Sequence, residues 1–228
     1  MSNAFAMMLP FAFGLIVSPL AVVAVSRLLV SAGGQAKAAA FVGSWFLTMA
    51  VIAFVVALVS SIGVGRYEVG TSPGWVGVIQ IIIGVALVVL AVRMLMQRVA
   101  AGDASDPATP DWLATIEDTG ARRAAQLGFL LSASNPKNLA MAVGAGTAVG
   151  AFGETAGAAV GYAVILGLLG SIGLAVPLVM VVAAPEEKAE SRLQGARAWL
   201  VAHNDVIVLT ALFVFGGVFL SFALGALF

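Results

Sequence analysis

The chain of 228 residues has no cysteine and a single histidine, His203. Disulfides, thiol redox chemistry and Cys-ligated metals are excluded on that ground, and one histidine leaves little for a zinc or haem site. Charge is scarce as well. Only 10% of residues are charged, where a soluble domain carries about a quarter. The longest apolar runs contain no Asp or Glu at all, which argues against a pump for hard cations, since such ions need oxygen ligands. No basic segment precedes the first apolar run, and that run is too long for the core of a signal peptide, so it reads as a retained span.

What the chain has in quantity is apolar surface, 61% of residues, with a mean hydropathy of +1.09. The runs 1–26, 38–65, 69–92, 155–185 and 206–228 are uncharged, and 124–153 is broken only by Lys137. Each exceeds the roughly 20 residues needed to cross about 30 Å of hydrocarbon. They predict an all-α polytopic membrane protein with six transmembrane helices, near 4–30, 38–62, 73–97, 124–149, 155–183 and 206–228.

Basic residues fall unevenly between these spans. Arg27, Lys37, Arg93, Arg98, Arg122, Arg123, Lys188, Arg192 and Arg197 lie in odd connections, and only Arg66 lies in an even one. By the positive-inside rule the connections 31–37, 98–123 and 184–205 face the cytoplasm and both termini face outward. The location implied is the plasma (inner) membrane. Two connections are long enough for surface helices. "DWLATIED" sets Trp112, Leu113 and Ile116 on one side of a short helix suited to the membrane surface. In "PEEKAESRLQGARAWLVAHND", Pro185 suits a first helical position and Asn204 or Asp205 a cap on the last span. Trp45, Trp75 and Trp199 fit interfacial belts, Pro177 a kink in the fifth span, and Gln80 a satisfied interhelical hydrogen bond. Gly157 and Gly161 form a small-residue pattern that mostly serves packing.

The two halves echo each other. An offset of 117 takes Pro19 to Pro136 and Gly33 to Gly150, aligning "SPLAVVAV" with "NPKNLAMA". Three spans per half is an odd number, so the second copy must be inverted: a 3+3 inverted repeat, 1–97 and 124–228, joined by the linker 98–123. Ser18-Pro19 lies nine residues before Arg27, about 13 Å along a helix. Asn135-Pro136 lies about 20 Å beyond Arg123. Both pairs therefore sit near mid-membrane. Proline is welcome only at the first turn of a helix, and Ser or Asn before it is a good cap. Spans one and four are thus expected to be broken helices whose second halves start at Pro19 and Pro136. Paired discontinuous spans point to a transport site.

Lys137 stands beside one of these breaks. A lysine at the centre of a span costs about 2.5–3.5 kcal/mol, and no carboxylate is at hand unless Glu68 or Glu154 folds inward. Its open partners are backbone groups, a water-filled cavity, or an anion drawn by the positive ends of the half-helices. A proton-coupling role also stays open. Ser18, Pro19, Ser134, Asn135, Pro136, Lys137 and Asn138 are the candidate substrate-binding residues. No catalytic residue, metal or cofactor is expected.

Several stretches resemble a known family. "GLIVSPLAVVAV", "AAAFVGSWF", "DWLATIEDTGARRAAQLGFLLSASNPKNLAMA" and "ARAWLVAHNDVIVLTALFVFGGVFL" are similar to the GAP family of the LysE superfamily, the glycopeptidolipid- and sulfolipid-addressing (Sap-like) proteins. The resemblance implies a six-span inverted-repeat fold and a homodimer, with the proline sites of spans one and four at its centre. It implies a transporter or flippase-like role in moving an anionic lipid or glycolipid toward the cell envelope, in contact with membrane lipids and with no nucleic-acid partner. A LysE-type exporter of amino acids or other small metabolites, and a non-transporting accessory of a lipid-export machine, are the alternatives.

Overall fold

A computed structural model describes residues 3–62, 74–101, 111–183 and 186–227. Among them every regular element is helical. The elements are α1 (Asn3–Ile16), α2 (Pro19–Val30), α3 (Gly34–Ser61), α4 (Gly74–Ala101), α5 (Asp111–Ala114), a 3-10 turn at Ile116–Asp118, α6 (Ala121–Ala133), α7 (Pro136–Gly150), α8 (Ala156–Ala183) and α9 (Glu186–Leu227). Helices α3, α4, α8 and α9 are each long and apolar enough to cross a membrane, and α1 with α2 makes a fifth such unit if counted as one bent span. The chain is a multi-pass membrane protein.

The breaks fall where the prolines require them. α1 stops at Ile16, α2 starts at Pro19, and the two meet at a bend of 57°. α6 stops at Ala133 and α7 starts at Pro136. Proline has no N–H to donate back, so a helix can start on it but not run smoothly through it.

The last helix departs from expectation. Residues 186–205 and the final span form one continuous helix of 42 residues. Asn204 and Asp205 therefore lie in mid-helix and cap nothing. α8 likewise runs on through Pro177, which membrane helices tolerate when neighbours satisfy the freed carbonyl.

Packing runs mainly between the two halves of the sequence. α3 packs on α6, α7 and α8, α1 on α7 and α8, and α4 on α9. The core is shared: Phe11 of α1 stacks at a tilt against Phe219 and Phe222 of α9, with ring centroids 5.3 and 5.8 Å apart. A side chain at Gly146 or Gly150 would run into the backbone of α3 at Ala53 and Ala57, so small residues there let α7 lie close. Gly157 and Gly161 have open space around them instead; their pattern makes no contact among the described residues. The outer faces of the long helices stay apolar, as with Val78, Ile82, Val85 and Val89 on α4 and Leu168, Val176 and Val179 on α8. Such faces suit lipid rather than water.

The segment expected to lie on a membrane surface is docked on the protein. Leu113 and Ile116 are fully buried, and Trp112 packs against the core. Arg27 of α2 pairs with Glu117 at 3.5 Å and donates to Leu113 O, while Lys37 of α3 donates to Glu117 O at 2.9 Å. The apolar stripe was legible in the sequence; the basic partners that draw it inward come from α2 and α3.

Candidate functional site

The break at Pro19 fixes the local chemistry. Within a continuous helix the Gly14 carbonyl would accept from the N–H of Ser18, whereas the Leu15 carbonyl would face Pro19, which has no N–H to give. Ending α1 at Ile16 leaves both carbonyls without a helical donor, and buried carbonyls need partners. Lys137 Nζ donates to Gly14 O at 2.7 Å. Ser18 Oγ lies 3.3 Å from Leu15 O and 3.4 Å from Asn138 Oδ1, and its single proton serves one of the two.

The approach of α7 to α1 depends on Gly14 itself. A Cβ there would meet Met141 and, at 2.6 Å, the Phe215 ring. Met141 is one helical turn beyond Lys137, so a side chain at Gly14 would push away the turn that carries the lysine.

The two proline-preceding residues play different parts. Asn135 caps α7, its Oδ1 accepting from Lys137 N at 3.0 Å. Ser18 was expected to cap α2 in the same way and makes no side-chain cap bond; its hydroxyl turns to Leu15 O and Asn138. Both half-helices thus begin close together, Ser18 of one touching Asn138 in the first turn of the other.

Lys137 is 1% exposed and Asn138 is fully buried. Among the described residues Gly14 O is the one hydrogen-bond partner of Nζ, so two of the three ammonium donors are unspent. Glu154 lies elsewhere, accepting from Tyr162 at 3.3 Å; Glu68 falls outside the described residues.

A cavity of about 200 Å³ lies beside this junction. Ser18, Asn135, Lys137 and Asn204 supply its polar lining with Trp45, and Pro19, Leu20, Ala21, Leu131 and Val208 its apolar lining. Among the described residues no Asp or Glu lines it. Of the other expected site residues, Ser134 and Pro136 are exposed and Asn138 sits behind the wall. Ser134 spends its hydroxyl on Leu130 O.

Two lining residues were not expected here. Trp45 was assigned to an interfacial belt, yet it is 1% exposed, stacks on Phe41 and has an Nε1 with no partner among the described residues. Trp199 is the exposed one, stacked on His203; the side chain of Trp75 lies outside the described residues. Asn204 was read as a cap and instead reaches the cavity from the middle of α9, its Oδ1 without a partner among the described residues. Gln80, expected to be satisfied, is buried with an Oε1 that has no partner among the described residues. Trp45 and Asn204 carry no sequence signal that points to a site, and only the packing of α3 and α9 on the broken helices brings them in.

No curated protein and no solved structure matches the chain. A family model described as Sap, sulfolipid-1-addressing protein, matches residues 8–225. With all but the ends of the sequence covered, the chain belongs to the sulfolipid-1-addressing protein family.

Proposed function

We propose that this protein is a transporter or flippase-like protein that assists export of an anionic lipid or glycolipid, holding the headgroup at Lys137. One observation carries the reading. Lys137 is a buried lysine at a cavity that no carboxylate lines among the described residues, and its Nζ spends one hydrogen bond there, on Gly14 O. A lysine kept for structure alone would be expected to satisfy itself on more carbonyls or a carboxylate, since burying a charge is costly unless it is paired. An anion entering the cavity meets the ammonium together with the amino ends of α2 and α7, both favourable to negative charge.

A lipid suits the site better than a soluble metabolite. Half of the lining is aliphatic or proline, and Val17, Ser134 and Pro136 at the two breaks are exposed rather than sealed. An opening of this kind lets a headgroup enter while its chains stay in hydrocarbon. The docking of Leu113 and Ile116 spends the apolar side of that short segment on the protein itself, which speaks against an accessory role for it.

The reading includes six crossings arranged as a 3+3 inverted repeat in the plasma membrane, with both termini outside. Arg27 meets Glu117, and Arg197 of α9 donates to Ser26 O in α2, which supports one shared face for the connections near 31–37, 98–123 and 184–205. Between the second and third of these α8 crosses once, so α6 and α7 together must cross once as well. Equivalent positions under the offset, Ser18 with Asn135 and Leu20 with Lys137, line one cavity, which supports the repeat. LysE-superfamily membership and a homodimer belong to the same reading; catalysis does not.

The test is in cells. Lys137→Gln should abolish surface display of the exported glycolipid, measured by lipid extraction of the cell surface, while the protein still reaches the membrane. Undiminished display would remove Lys137 from the mechanism.

A further inference from the structure

Two orphaned groups beside Lys137 are complementary in kind. The indole N–H of Trp45 can only donate, and the Oδ1 of Asn204 can only accept. Neither has a partner among the described residues, although both side chains line the same cavity. The orientation of the Asn204 amide is fixed by its neighbour: Nδ2 donates to Asp205 Oδ1 at 3.1 Å, leaving the oxygen unspent. Buried polar groups are ordinarily satisfied, and each of these waits for a group of the opposite kind.

We infer that Trp45 and Asn204 form a hydroxyl-recognising subsite next to Lys137, so that the cavity selects a headgroup carrying hydroxyls beside its negative charge. A hydroxyl is the smallest group that both accepts and donates. It can take the Trp45 N–H on its oxygen and give its proton to Asn204, which neither a bare anion nor an alkyl chain can do. The size agrees with a sugar. The cavity of about 200 Å³ has the room of six or seven waters at roughly 30 Å³ each, enough for one sugar ring, and the aliphatic lining can cover the ring's C–H faces. The inference rests on the anion reading above and adds the uncharged part of the ligand to it.

The full chain in nanodiscs of phosphatidylcholine tests both, with calorimetric titration of three probes: hexyl glucoside 6-sulfate, hexyl sulfate and hexyl glucoside. The wild type should bind the sulfated glucoside more tightly than hexyl sulfate. In Trp45→Phe and in Asn204→Leu that preference should shrink about five- to tenfold, the worth of one hydrogen bond, with hexyl sulfate affinity unchanged. A wild type without the preference, or variants that both keep it, would overturn the hydroxyl subsite, since water would then be serving the two groups. Lys137→Gln separates the readings. It should lose hexyl sulfate binding, and if it does not, the anion site fails whatever the other two variants show. If Trp45→Phe does not fold in a melting check, Asn204→Leu decides the matter alone, because leucine is a good helix former at a position inside the continuous α9.

Discussion

The ammonium of Lys137 donates to the carbonyl oxygen of Gly14 at 2.7 Å, across 123 residues of sequence. The bond exists because a proline five residues after Gly14 ends the helix and frees that carbonyl. A second proline, immediately before Lys137, starts the helix that delivers the lysine. One break provides the acceptor and the other provides the donor.

Replacing Lys137 by Met separates structure from function. Removing a buried ammonium is stabilising or neutral, while the orphaned Gly14 carbonyl costs about 1–3 kcal/mol. The two effects should offset to within about 2 kcal/mol, leaving the detergent melting temperature little changed. Glycolipid export should nonetheless be lost. A variant that unfolds would mark the lysine as a structural brace.

The unequal caps give a second expectation. Asn135→Ala removes the bond to Lys137 N and should destabilise by about 1 kcal/mol, the usual worth of such a cap. Ser18→Ala removes no cap bond, only one long contact, at 3.3 Å to Leu15 O or 3.4 Å to Asn138 Oδ1. It should therefore cost less than Asn135→Ala, a ranking readable from paired melting curves.

For the docked linker, apolar burial should outweigh charge. Leu113→Ala deletes a fully buried side chain, at about 2–5 kcal/mol. Glu117→Ala breaks an ion pair whose side chains are 32% and 42% exposed, and pairs of that kind contribute about 0–1 kcal/mol. Trypsin should cut after Arg122 or Arg123 much faster in the first variant and near the wild-type rate in the second. Equal cleavage would show that the basic residues of α2 and α3 hold the segment.

Much of the site could be read before any coordinates. Pro19, Asn135, Pro136 and Lys137 stand out because each is costly in mid-span, and a costly residue needs a local reason. Trp45 and Asn204 could not be found that way. A tryptophan is at home in a membrane protein, and an asparagine between His203 and Asp205 looks like a helix cap. The continuity of α9 through Asn204 was equally hidden, since capping residues permit a helix start without compelling one.

By itself the sequence determined the apolar helices and the two places where they break. Those follow from groups that covalent chemistry supplies or withholds, the side chains of each run and the missing N–H of proline. Only the tertiary structure decided what meets the freed carbonyls, that Ser18 turns away from capping, that the linker folds onto the bundle, and that Trp45 and Asn204 share a cavity with Lys137. Those relations join residues far apart in the chain, and they are set by how close glycines such as Gly14 let the helices come.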